Sequence, residues 1–177
     1  MITLRFVRHK GFSCNVVVWR AGMVGMPFIP THVECLTPEG TCLGMFGGGS
    51  IIGGLLPGLF KLGKMEERPM GYDRDETYIL DGRRCELTID LPATDTQAKI
   101  FYDGAYASLD EPYDWSAPWG YLLPGHHHQK SHSVCSAKML MLLRKCGFFR
   151  WPITVPAHLV APRDLLMILS THVEVPH

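Results

Sequence analysis

SHSVCSAKMLMLLRKCG, residues 131–147, is the stretch on which the reading of the fold turns. It predicts a helix that opens beside a cysteine. Ser133 is the expected N-cap, with Ser131 as an earlier choice, because a hydroxyl there can accept from a first-turn N–H. Val134, Ala137, Met141 and Leu142 make an apolar stripe at helical spacing, broadened by Leu140 and Leu143. Arg144 and Lys145 suit the negative end of the dipole, and Gly147 is a natural terminator. Cys135 falls in the first turn, where unpaired N–H groups favour a thiolate. The dipole supplies at most ~2 kcal/mol, roughly 1.5 pKa units. From a free-thiol value near about 8.5, that leaves Cys135 only partly ionised at neutral pH. A nucleophile here needs a partner base; without one, Cys135 is a small buried hydrophobe.

The 177 residues suffice for one well-buried domain, or two small ones. A hydrophobic share of 46% against 19% charged predicts folding rather than disorder. Lys plus Arg equals Asp plus Glu at 17 each, which excludes nucleic-acid binding driven by bulk charge. There are six cysteines, but the opening MITLRFVRHKGF holds no uninterrupted apolar run of a signal peptide, so reduced thiols are expected. No charge occurs between Glu39 and Lys61, an interval containing GMFGGGSIIGGLLPGLF. It is too rich in Gly and Pro for a membrane-spanning helix and reads as an apolar loop at about 44–60, a substrate-flanking flap. A membrane-touching segment is the minor alternative.

Working outward, Ile2 to Val7 predicts a strand and Asn15 to Met23 a short helix. Thr31 to Leu36 predicts a strand with His32 and Glu34 on one face. Pro38-Glu39-Gly40 is a turn signal, and Thr41 to Phe46 the returning strand. Gly58 to Lys64 has the spacing of a phosphate-binding loop, but Met65 replaces the metal-holding hydroxyl and no clear strand precedes it, so it is a chance match. Cys85 to Leu91 alternates like a strand, and a helix capped by Thr94 or Asp95 follows to about Ser108. Ala161 to Leu169, with Pro162 in its first turn, is the last helix.

A thiol nucleophile needs a base in hydrogen-bond reach, and the base usually needs an orienting group. Among nine histidines, His32 is the best placed, since a strand fixes its direction and Glu34 shares its face. The plainer reading is a core or edge-strand histidine. His126, His127, His128 and His132 with Cys135 form a competing set whose donors suit zinc, copper or nickel. Consecutive histidines diverge, and the paired spacing of structural zinc sites is missing. That favours a polar loop with adventitious metal binding, and no resident metal or other cofactor is expected.

A strand reading THVE at 31–34, EPYDW at 111–115, HSVCSAKMLMLLRKCG at 132–147 and a closing APRDLLMIL at 161–169 occur in one order. That order resembles the circularly permuted members of the NlpC-type papain-like cysteine peptidase and amidase superfamily, especially those encoded by phages and prophages. Their pattern is S-H-V-E on a strand, a Gly-bearing hairpin return, G-x-P-Y-D-W ending a helix, W-F-C-S-E opening another, and a P-x-D-L-Y-x-L-L ending. The likeness runs from about Pro30 to Leu169.

The resemblance implies a single α+β, papain-like domain over residues 1–177, an antiparallel sheet packed against helices. It implies Cys135 as nucleophile, His32 as base and Glu34 in the acidic slot beside it. Tyr113, Asp114 and Trp115 match the segment that packs beside the active site and are the implied substrate-binding residues. The implied activity is hydrolysis of an amide, with cell-wall peptidoglycan or another peptide as substrate. The implied setting is the host cytoplasm during synthesis and then a phage tail, with other tail proteins as partners. Two departures stand out. Ala137 replaces the Glu two residues after the cysteine, and Ser133-Val134 replaces the aromatic pair. The third polar residue of the returning strand would fall at Cys42 to Met45, where no orienter stands. A non-catalytic tail or assembly component with the same fold is therefore the alternative.

Overall fold

Ile2–Val7, β1, and Glu86–Leu91, β7, pair antiparallel along their full length, with Leu4 opposite Ile89 and Val7 opposite Glu86. In this computed structural model, which describes residues 1–10, 28–46, 63–114, 134–149 and 153–171, they form one side of a five-stranded antiparallel sheet. The other strands are His32–Leu36, β2, Thr41–Phe46, β3, and Lys64–Pro69, β4, in the order β4-β3-β2-β1-β7. Ile79–Leu80, β5, and Arg83–Arg84, β6, form a separate hairpin. Among the described residues three helices follow: Asp95–Tyr106, α1, Cys135–Lys145, α2, and Pro162–Ser170, α3, with a 3-10 turn at Ala157–Leu159. The protein is thus α+β, with helices packed on an antiparallel sheet.

Period-two alternation divides the sheet into two unlike faces. One face carries Ile2, Leu4, Phe6, Val33, Cys35, Leu43, Met45 and Met65, and this face meets Phe101 of α1, Met139, Leu140 and Leu143 of α2, and Leu165 and Leu169 of α3 in one apolar core. Each fully buried large side chain there stabilises by about 1.5–3 kcal/mol. The opposite face carries Arg5, His32, Glu34, Gly44, Glu66 and Arg68. Of these Arg5, His32 and Glu34 are buried, which is unusual for charged groups on a sheet face, and they position the site.

Helix α2 lies over β2 and β3, with α1, α3 and the 3-10 turn around it. Burial on nearly every side explains why its run is so apolar. The expected stripe is rotated in one place: Met139 is fully buried, whereas Met141 is 49% exposed. The N-cap is Val134 in extended conformation, without a side-chain cap. Ser131 and Ser133 lie outside the described residues, as do the expected helix at 15–23, the His126–His128 run and His132. Helix α1 is capped as expected, since Thr94 accepts from the Gln97 N–H and the Gln97 side chain accepts from the Thr94 N–H. Gly104 of α1 permits its close approach to α2, because a Cβ there would stand 2.9 Å from Leu142 Cδ2.

The apolar Gly-rich stretch begins later than expected. Gly44, Met45 and Phe46 belong to β3, where each pairs with a residue of β4, and residues 47–62 lie outside the described ones. Lys64 opens a strand rather than a helix, which removes the phosphate-loop spacing from consideration. No helix among the described residues is long and apolar enough to cross a membrane.

Candidate active site

His32 is the first residue of β2 and Cys135 the first of α2, and the two ends converge. The imidazole and the thiol are both buried, close enough that each shifts the other's titration. The backbone groups of Val33 and Ser136 favour the thiolate as well. The Ser136 group belongs to the open first turn of α2, which favours negative charge. Burial opposes the thiolate, but the interaction with His32 outweighs it and brings the thiol below its ordinary range. Burial likewise opposes the imidazolium. The interaction with Cys135, then that with Glu34, overcomes it and pushes His32 up to about 10. Each group thus favours the charged form of the other, thiolate with imidazolium.

His32 Nε2 lies 3.4 Å from Glu34 Oε2, an ion-pair distance at an angle that leaves the nitrogen without an aligned hydrogen bond. Glu34 itself is wholly buried and held from two sides: Arg5 Nη1 donates to Oε1 at 2.6 Å, and the Tyr72 hydroxyl donates to Oε2 at 2.9 Å. Against the opposing effect of burial, His32 and then Arg5 lower its carboxyl below the usual range. Burial and the Glu34 charge push the Tyr72 hydroxyl far up, so it stays a donor.

Gly44 stands on β3 directly opposite Glu34. A Cβ at this position would fall 3.0 Å from Glu34 Cβ and 3.5 Å from His32 Nε2. The returning strand indeed supplies no orienter at 42–45. Its glycine instead leaves the space in which the Glu34 carboxylate reaches the imidazole.

Arg5 is the buried hub of the polar face. Its Nη2 donates to both Asp73 oxygens at 3.0 Å and to Glu86 Oε2 at 2.6 Å, and its Nε donates to Glu86 as well. Asp73 also accepts from the Thr77 hydroxyl and meets His9 Nε2 at 3.1 Å. The His9 ring stacks on His32 with centroids 5.3 Å apart, while Phe46 tilts against His32 at 5.2 Å. Arg5, Asp73, Tyr72 and His9 were not among the residues expected from sequence. An arginine at an alternating strand position reads as solvent-facing, and its partners lie 29, 68 and 81 residues away.

Tyr113 packs beside Val134 and Ala137 at the start of α2. The chain reaches it along β4, since Tyr113 N donates to Gly63 O and Pro112 bridges Lys64. Asp114 is completely buried, and Trp115 lies outside the described residues. One turn into α2, Lys138 makes an ion pair with Glu111, tying the helix to the segment that carries Tyr113. No cluster among the described residues is placed to hold a metal ion. Comparison with protein families, with curated proteins and with solved structures finds no match for this chain.

Proposed function

We propose that this chain is a cysteine hydrolase of amide bonds, a peptidase or amidase with the permuted NlpC-type papain-like fold. The observation that carries the reading is the buried Cys135–His32 pair, with Glu34 Oε2 3.4 Å from the imidazole Nε2. A helix-start thiol, an imidazole and a buried acid meet from distant parts of the sequence, and together they make a poised nucleophile.

In the reaction, the Cys135 thiolate attacks the carbonyl carbon and the carbonyl oxygen becomes an oxyanion. An N–H at the helix start is one donor suited to hold it. The tetrahedral adduct collapses as His32 gives its proton to the leaving amine, and a thioester remains. Water then adds to the thioester while His32 takes its proton. Collapse releases the carboxylic acid and restores the thiolate–imidazolium pair. Glu34 keeps the imidazole aimed and balances its charge throughout. The substrate class is a peptide, with cell-wall peptidoglycan as the leading case in a phage-tail setting.

A non-catalytic tail or assembly component is the second reading. It is favoured by Ala137, which is buried against Tyr113 where the family pattern has a glutamate. An electrophilic amide-mimetic probe decides between the two. Covalent labelling of wild type at Cys135, lost in Cys135→Ala and strongly reduced in His32→Ala, supports the hydrolase. Absence of labelling, with no peptide or muropeptide cleaved, supports the assembly role.

A further inference from the structure

We propose that His9 is a positioning residue for the proposed hydrolase, a flat wall that holds the His32 imidazole in the plane facing Cys135. The inference rests on the hydrolase reading and adds a residue to it.

Two observations carry it independently. The first is the stack: the rings are 5.3 Å apart and inclined by only 22°. Because β2 lies between β1 and β3, His9, just past β1, and Phe46, ending β3, flank His32 from opposite sides. A terminal imidazole torsion is broad and roughly two-fold. Two flanking rings narrow it in a way that one hydrogen bond cannot.

The second is how firmly His9 is fixed. Its Nε2 lies 3.1 Å from Asp73 Oδ2, and since the ionised carboxylate only accepts, Nε2 carries the hydrogen. Asp73 is itself buried and held by Arg5 and Thr77. The His9 backbone N donates to Thr31 Oγ1 at 3.0 Å, and its neighbours are tied by Tyr78 N to Arg8 O and Lys10 N to Glu76 O, both at 2.7 Å. His9 and Asp73 thus repeat the His32 and Glu34 arrangement, and Arg5 bridges the two carboxylates. Only the second pair reaches the thiol.

The groups facing His32 are Cys135 from α2, Glu34 from its own strand, His9 beyond β1, and uncharged Gly44 and Phe46 from β3. Arg5 and Tyr72 act on it through Glu34.

The test compares His9→Phe with His9→Leu in the full chain. Both lose the Asp73 contact equally, and Asp73 keeps Arg5 and Thr77, so the pair isolates the flat ring. The readout is the pH profile of Cys135 alkylation by iodoacetamide. His9→Phe should stay within about threefold of wild type along the acid limb, whereas His9→Leu should move that limb up by about one unit, a tenfold loss of thiolate at any pH on it. Equal profiles for the two variants overturn the wall, whether both match wild type or both fall. A wild-type Cys135 without neutral-pH reactivity overturns the hydrolase reading and this one together. A reactive wild type with matching variants overturns only this one.

Discussion

Gly44 and Glu34 face each other across β3 and β2, and the Cβ that glycine lacks would stand 3.0 Å from the Glu34 Cβ. That separation is too tight for two strand-borne carbons, since neither is the free end of a flexible side chain. Gly44→Ala should therefore destabilise by about 1–3 kcal/mol, the usual cost of overpacking. It should also push Glu34 off His32 and slow Cys135 alkylation. A Gly44→Ala protein that melts and alkylates like wild type would show that the contact is not constraining.

Cys135 should alkylate ahead of Cys35, Cys42 and Cys146 at pH 7. Burial raises the last three, with Cys42 pushed up to about 12, while His32 lowers Cys135. Below its pKa each unit of difference is tenfold in thiolate, enough to outweigh the modest access of a buried sulfur. Time-resolved mass-spectrometric mapping checks the order, and earlier modification of any of those three refutes it.

Acid should unfold the protein through Glu34 and Asp73. Both carboxyls are depressed in the folded state, Glu34 by His32 and Arg5, Asp73 by His9 and Arg5, each against the opposing effect of burial. A depressed folded value means the stability is present above the unfolded carboxyl range, near about 4, and is lost as pH falls through the folded values. Each group adds a slope of about 1.4 kcal/mol per pH unit between its two values. Urea midpoints should hold from pH 7 to 5 and fall below 4, less steeply in Glu34→Gln. An equal fall in that variant would clear Glu34.

Thr94→Ala should cost about 1 kcal/mol by removing the hydroxyl that accepts from the Gln97 N–H. The alkylation profile of Cys135 should not move, because the cap lies at the start of α1, away from the polar face. A shifted profile would mean that the site responds to general loss of stability.

Most of this architecture is legible in local pattern. β1, β2, β3 and the three helices appear within a residue or two of the periodicity, because each has a side that alternates or repeats against one core. β4 is hidden: KMEERP at 64–69 buries only Met65 deeply, and its charges look like a loop until Glu66 and Arg68 are seen to share the polar face. The β5–β6 hairpin carried an Asp-Gly signal at 81–82, where both residues have positive φ, but its strands are too short to alternate. In the site, Cys135, His32 and Glu34 follow from helix position, strand direction and motif order. His9, Arg5 and Asp73 do not, since a buried charge is known only from its partners.

Because Arg5 gathers carboxylates from positions 34, 73 and 86, its charge is neutralised only when three separated stretches have closed around it. Closing loops of that length costs entropy before any contact rewards it, so such pairings form late in folding. Once closed, Glu34 has no freedom left to lose, and neither has the imidazole it steadies. For the proposed hydrolase, the ordering that many enzymes postpone until a ligand arrives would be completed by the chain on itself, leaving binding energy free for distorting the ligand.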